Sequence, residues 1–218
     1  MKGVKTIVFD YDGTIHNSTK IYVDVFRRVY REMVAAKDAP EQEFTDADIT
    51  KWLGYSVKDM WDTFMPELSS RKKTLYAGEI GRLMTEKIQN KEAVLYEGAL
   101  ETLQYLKGRG YHVLYLSNCG RPYMDMHAEC FGLRNYFDYM YCTGDYDQKP
   151  KYEIFNVIKE QYPPEYLVVG DRFHDMEVAR YHKVYTAGCA YGFGTRKEIE
   201  AADIILEDIR DLKKLLVV

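Results

Sequence analysis

The stretch Val4-Lys5-Thr6-Ile7-Val8-Phe9-Asp10-Tyr11-Asp12-Gly13-Thr14 decides how the chain is read. Its apolar half is short enough to be a buried strand, and two carboxylates two residues apart follow it, then a Gly-Thr turn. Asp10 and Asp12 therefore belong to the carboxyl end of a strand, which in open α/β sheets is the edge where ligands bind. Gly13 lets the backbone turn sharply directly after them. Asp and Gly are also ordinary turn residues, so the stretch alone does not separate a nucleophile and metal station from a surface turn. The distinction comes from what stands at the ends of the later strands.

Three further short motifs follow in order. Ser117-Asn118 ends the apolar run Tyr111–Leu116, Lys149-Pro150 precedes a helical pattern, and Gly170-Asp171-Arg172-Phe173-His174-Asp175 closes the run Tyr166–Val169. Together with D-Y-D-G-T at residues 10–14, they resemble the four motifs of the haloacid dehalogenase (HAD) superfamily, whose first motif is D-x-D-G-T. Either S-N or K-P alone carries nothing; the four in fixed order are specific. The tail Tyr191–Leu212, with its Y-G-F-G, A-A-D and final D-L, also resembles the phosphoglycolate phosphatase-like branch.

Between the first motif and about residue 93 the pattern is helical. Ser18 or Asn17 caps a helix with Ile21, Val25, Val29 and Met33 at helical spacing, and Asp38-Ala39-Pro40 ends it. Helices are expected over Asp46–Leu53, over Val57–Met65 capped by Ser56, and over Ser70–Asn90. From Leu95 strands and helices alternate, with a Lys151–Gln161 helix among them, which argues for a parallel sheet covered on both faces. The expected fold is an α/β, Rossmann-like (HAD-like) parallel sheet core, residues 1–15 and 94–218, with an inserted all-helical cap domain, residues 16–93.

Composition bounds the function. A chain of 218 residues with 46% hydrophobic residues can bury a full core. A net charge of −4 gives no general attraction to nucleic acid or anionic membrane, so any phosphate is held locally. The apolar runs fall far short of the roughly 18 residues of a membrane span and the N-terminus lacks a signal-peptide pattern, so a cytoplasmic location is expected. Cys119, Cys130, Cys142 and Cys189 form no C-x-x-C pair and read as reduced, mostly buried thiols. Many of the twenty tyrosines, such as Tyr22, Tyr30, Tyr105 and Tyr181, fall in amphipathic helix patterns and read as packing.

The resemblance implies roles. Phosphate monoesters can require rate enhancements up to about 10²¹-fold, and a covalent aspartyl-phosphate divides that displacement into two easier ones. Asp10 would be the nucleophile, and Asp12 would protonate the leaving oxygen and then deprotonate the attacking water. A dehalogenase has no need of that second acid, so Asp12 argues for phosphoryl transfer. Magnesium would be held by the Asp10 carboxylate, the Asp12 carbonyl and Asp171, with Asp175 acting through water or by orienting its neighbours. Asp171 and Asp175 would equally suit a helix N-terminus. Ser117, the Asn118 amide and Lys149 would bind phosphoryl oxygens, whereas nothing rests on Lys151. Arg121 and Arg172 read as solvated. The loop Lys51-Trp52-Leu53-Gly54-Tyr55-Ser56 would choose the substrate, with Gly54 as the flexible point, Tyr55 as a substrate contact and Trp52 more in the cap core than at the substrate.

The expected activity is a magnesium-dependent phosphatase acting on a small phosphorylated metabolite, phosphoglycolate-like or a sugar phosphate, as a monomer or dimer. A phosphomutase of the beta-phosphoglucomutase type shares the chemistry and differs in its product. A non-enzymatic phosphoaspartate signalling domain would lack the second Asp and the helical insert, and a non-catalytic HAD-like binding protein would have lost an acid; none is missing.

Overall fold

A computed structural model describes residues 3–216. In chain order the elements are β1 (Thr6–Phe9), α1 (Thr19–Ala35), α2 (Asp46–Thr50), α3 (Val57–Phe64), α4 (Ser70–Gln89), α5 (Ala99–Gly108), β2 (His112–Ser117), α6 (Arg121–Phe131), β3 (Tyr139–Cys142), α7 (Lys151–Gln161), β4 (Tyr166–Gly170), α8 (Phe173–His182), β5 (Tyr185–Cys189), α9 (Arg196–Ile199), β6 (Ile204–Leu206) and α10 (Leu212–Leu215). The chain divides into two compact units: one joins the chain up to Asn17 with the chain from Leu95 onward, and the other is Ser18–Val94.

The first unit is built on six parallel strands in the order β3-β2-β1-β4-β5-β6. The two-residue period of a strand sorts its side chains between two cores. Ile7, Phe9, Val113, Tyr115, Leu167 and Val169 pack with Leu103 and Leu106 of α5, Met124 and Ala128 of α6 and Leu212 of α10. Val8, Leu114, Leu116 and Val168 pack on the other face with Ile154, Phe155 and Ile158 of α7 and Val178 of α8. Each such side chain contributes about 1.5–3 kcal/mol on full burial. Both faces being covered is why β1, β2 and β4 read as continuous apolar runs rather than alternating ones. The chain passes from β1 outward through β2 to β3 and then returns to β4 on the other flank of β1, so the direction of winding reverses between β1 and β4.

The helical unit contains α1 to α4. Helix α1 buries Ile21, Val25, Val29 and Met33, the helical stripe expected from the sequence, together with Phe26 and Tyr30. Ser18 does not cap it: its backbone is already helical and its hydroxyl makes no cap bond to the first turn. Thr45 and Ser56 do cap, accepting from the N–H groups of Asp48 (3.2 Å) and Asp59 (3.1 Å). Helix α2 stops at Thr50, short of the expected Leu53, and the chain turns through Gly54 at φ +81°. Phe26 meets Phe64 at 5.4 Å and Phe44 at 5.6 Å between ring centroids, and Tyr30 meets Phe44 at 4.9 Å. Trp52 packs on Phe64 at 5.7 Å, in keeping with a core role for that ring.

Phe26 is 2% exposed at the centre of these rings. Phe26→Ala is expected to lower the unfolding free energy by about 3–5 kcal/mol, read from the urea midpoint at constant m-value. A loss below about 1 kcal/mol would show that the rings carry little of the unit's stability.

Candidate active site

The site starts where β1 stops. The Asp10 N–H still donates to the Val169 carbonyl at 2.8 Å, after which the chain leaves the sheet. The Tyr11 carbonyl accepts from the N–H groups of Thr14 (3.2 Å), Ile15 (2.8 Å) and His16 (2.9 Å), and the Gly13 N–H donates to the His16 carbonyl at 2.9 Å. This tight turn requires Gly13 twice over: its φ is +90°, and a Cβ there would fall inside the Asp171 carboxylate. The turn also parts the two acids that strand periodicity would have kept on one face.

Asp10, Asp171 and Asp175 converge, all buried, with ligand oxygens within 4.8 Å of one another. Asp171 follows β4, the neighbour of β1. Its Oδ2 accepts from the N–H groups of Phe193 (2.6 Å) and Gly194 (3.1 Å), while its Oδ1 is buried with no hydrogen-bond partner among the described residues. Asp175 lies in the first turn of α8. One of its oxygens accepts from the Arg172 N–H at 3.1 Å, which stabilises the helix start, and the other accepts from Lys151 Nζ at 2.7 Å. Lys151 Nζ also donates to Asp10 Oδ1 at 2.6 Å.

The charge on the three carboxylates is therefore Lys151's to balance, and here the sequence reading needs correction. Lys149, the expected cation, has an exposed side chain, and its backbone N–H donates to the Tyr146 carbonyl at 3.0 Å within a turn. Asp147 and Gln148 just before it have φ of +53° and +58°, and Pro150 is extended at the helix N-cap. These conformations carry the chain past Lys149, so the buried ammonium belongs to the first residue of α7.

Three carboxylates against one ammonium leave a formal surplus of two negative charges. Burial, then the repulsion of Asp175, pushes Asp171 up to about 7 from its ordinary 3.8. Burial likewise drives Asp10 up, against the pull of Lys151. An all-oxygen donor set with an unpartnered buried oxygen and that charge surplus fits a hard divalent cation.

The other expected residues fall as follows. Ser117 is buried at the end of β2, paired in register with Cys142, and Asn118 beside it is half-buried. Asp12 stands apart from the triad: its Oδ1 accepts from the Tyr123 hydroxyl at 2.8 Å and lies 2.8 Å from His16 Nδ1. Gly54 and Tyr55 belong to the helical unit. Neither arginine is simply solvated, since Arg121 pairs with Asp145 and buried Arg172 donates from Nε to Glu198 at 2.8 Å. Contact with the Cys142 thiol, then burial, pushes the Cys119 thiol up. Sequence reading missed Lys151, His16, Tyr123 and the Phe193 and Gly194 amides. The Y-G-F-G segment was visible as a motif, but a backbone donor has no side-chain signature.

The haloacid dehalogenase-like hydrolase pattern matches residues 7–189, and the chain belongs to that family. A pyrophosphatase PpaX of Listeria welshimeri is 23% identical over 219 residues, covering 96% of this chain and 94% of the relative. The PpaX of Bacillus cereus strain Q1 is 26% identical over 223 residues, covering 98% and 96%. Among solved structures, a predicted phosphatase from Clostridium acetobutylicum superposes with a TM-score of 0.82 at 21% identity, covering 98% of each chain. The chain is thus an enzyme of the HAD-like hydrolase class, with an acidic centre suited to a divalent metal. No helix among the described residues is long and apolar enough to cross a membrane.

Two outcomes follow from the geometry. Lys151→Met should lower kcat/KM by about 100-fold or more, the scale of losing a preorganised charge, and Lys149→Met by less than about threefold. The reverse ranking would return the cation to Lys149. Metal affinity should also depend on pH. Asp171, with its value near 7, must release a proton to become a ligand, so lowering the pH through that value favours the proton over the cation. Titration calorimetry of magnesium into metal-free protein, run in two buffers of different ionisation heat, should show protons released near neutral pH and weaker binding at about pH 6 than at about pH 8. A flat affinity across that range would contradict the shift.

Proposed function

We propose that the protein is a magnesium-dependent phosphatase that hydrolyses a small phosphorylated metabolite through an aspartyl-phosphate on Asp10. The observation that carries this reading is the pairing of the buried Asp10, Asp171, Asp175 and Lys151 centre with a second acid, Asp12, held outside it. One acid is suited to attack and the other to move a proton.

Asp10, Asp171 and the Asp12 carbonyl would hold the cation, with Asp175 supporting them. A bound divalent cation supplies the charge neutralisation that lets a carboxylate approach a phosphate dianion. Asp10 attacks phosphorus as Asp12 gives a proton to the departing oxygen; water then attacks the aspartyl-phosphate as Asp12 takes a proton back. Lys151 holds the Asp10 carboxylate in place and offsets charge on the phosphoryl group, the part first expected of Lys149. Ser117 and the Asn118 amide would hold the remaining phosphoryl oxygens. We assign choice of leaving group to the helical unit and in particular to Gly54 and Tyr55, on the ground that every residue of the acidic centre comes from the sheet unit. The PpaX relatives add pyrophosphate to the candidate substrates beside phosphoglycolate and sugar phosphates.

The test is a panel of phosphorylated metabolites, including pyrophosphate, incubated with purified protein and magnesium, with released phosphate measured and isomerised sugar phosphates sought. Phosphate release from at least one member, abolished by EDTA and by Asp10→Asn, is the expected outcome. Isomerisation without net phosphate release would make the protein a mutase, and full activity of the Asp10→Asn variant would remove the nucleophile.

A further inference from the structure

The amides that hold Asp171 belong to a loop that is itself tied down. The loop joins β5 to α9, and its N–H groups are directed at particular acceptors. Ala190 donates to the Leu206 carbonyl of β6 at 2.8 Å and Gly192 to the Cys189 carbonyl at 3.2 Å, while Phe193 and Gly194 donate to Asp171 Oδ2 at 2.6 and 3.1 Å. The loop lies so close that a Cβ on Gly192 would come within 2.3 Å of the Asp171 Cβ. Two donors on one carboxylate oxygen fix where that oxygen sits, but only as well as the loop that carries them is fixed.

Both ends of the loop are anchored. At its start the Tyr191 hydroxyl donates to the Thr14 carbonyl at 3.0 Å, in the turn that follows β1. The Tyr191 carbonyl accepts from the Tyr96 hydroxyl at 3.3 Å, the two rings meet edge to face with centroids 4.9 Å apart, and the Tyr96 N–H donates to the Ile15 carbonyl at 2.9 Å. The two tyrosines thus join the loop to that turn at successive carbonyls. At its far end the Thr195 N–H donates to Glu198 Oε1 at 3.2 Å, and Glu198 Oε2 accepts from Arg172 Nε at 2.8 Å and from the Phe173 N–H at 3.3 Å. The Tyr191 ring packs against the core on the α5 side of the sheet, which a phenylalanine would do equally. What the hydroxyl adds is the bond to Thr14.

We infer that Tyr191 is a positioning residue for the metal centre: by tying the β5–α9 loop to the turn after β1, it keeps the Phe193 and Gly194 amides on Asp171 and so keeps Asp171 in place for the cation. This rests on Asp171 being a metal ligand. The bond sets one side of the centre against the other, since Asp10 leads into the turn that Tyr191 grips and Asp171 is the carboxylate that the loop grips. Groups that orient a metal ligand from behind typically govern affinity by about 10- to 100-fold. Without the phenol the loop keeps its Glu198 anchor, which places the expected loss at the lower end.

The experiment reads magnesium affinity rather than turnover. Magnesium alone is titrated into metal-free protein by calorimetry at a fixed pH of about 8, for wild type and for Asp171→Asn, Tyr191→Phe, Tyr96→Phe and Tyr111→Phe. Tyr111→Phe is the matched control: the Tyr111 hydroxyl also donates to a backbone carbonyl, that of Leu216 at 3.0 Å, but at the other end of β2 from Ser117. Asp171→Asn should weaken binding by at least about 100-fold, Tyr191→Phe by about tenfold and Tyr96→Phe by about threefold, with Tyr111→Phe within about twofold of wild type. The metal-free Tyr191→Phe and Tyr111→Phe proteins should lose similar amounts of Tm, since each gives up one phenol–carbonyl bond, so the difference in affinity reports the site rather than the stability. If Asp171→Asn loses magnesium while Tyr191→Phe and Tyr96→Phe bind it as Tyr111→Phe does, the phenol is packing and the inference is wrong. Tyr96→Phe, which loosens the same loop at the Tyr191 carbonyl, decides the question if Tyr191→Phe fails to fold. If Asp171→Asn binds magnesium as wild type does, the metal reading fails first and takes the inference with it.

Discussion

The constraint on which the site depends is electrostatic: three carboxylates buried at one sheet edge, with a single ammonium among them. Burying an unpaired charge costs several kcal/mol even after relaxation, and Lys151 meets only part of that cost. The remainder appears as upward shifts of Asp10 and Asp171, caused first by burial. A site of this kind binds a divalent cation because the fold has already brought the carboxylates together. Stability of the metal-free protein and affinity for metal are then two expressions of one imbalance.

The sheet order explains why the imbalance falls where it does. β1 lies between β2 and β4, and the reversal of winding opens a crevice between β1 and β4 at their carboxyl ends. Asp10 and Asp171 sit on the two sides of that crevice, and α7 and α8 on one face deliver Lys151 and Asp175 from their first turns. The fit is close enough that several backbone positions exclude any side chain: a Cβ at Gly170 would collide with Asp175, and one at Gly194 with the Asp171 carbonyl. The glycine at each of these places is a packing requirement of the carboxylates themselves.

Much of this was legible in the sequence. Apolar runs of strand length ending in D-x-D, S-N and G-D located three strand ends, and the helix Lys151–Gln161 was placed to the residue. Motif order identified Asp10, Asp171 and Asp175 as neighbours because topology, rather than side-chain conformation, brings strand ends together. The lysine was misplaced for the opposite reason. Lys149 and Lys151 flank one proline, and which ammonium enters the site is set by the left-handed residues Asp147 and Gln148, neither of them glycine, so no residue type announced the turn. Arg172 was read as solvated because a buried arginine depends on its partner, and Glu198 stands twenty-six residues further on. The His16–Tyr123 contact was invisible on similar grounds: one histidine near a motif and one tyrosine among twenty carry no periodicity that would link them.

Asp10 and Asp12 show how a single stretch can place two identical groups in different surroundings. They are the same residue type, two positions apart, and in a continued strand they would face the same surroundings. The chain leaves the sheet after Asp10 and enters the turn that contains Gly13. Asp10 is left buried among two further carboxylates and one ammonium. Asp12 is left at a partly exposed position outside the acidic centre, with its Oδ1 2.8 Å from both the Tyr123 hydroxyl and His16 Nδ1. Separating two identical groups by environment is a recurring way to assign them opposite tasks, one as nucleophile and one as proton carrier. Here the separation goes with one glycine and three N–H groups directed at the Tyr11 carbonyl.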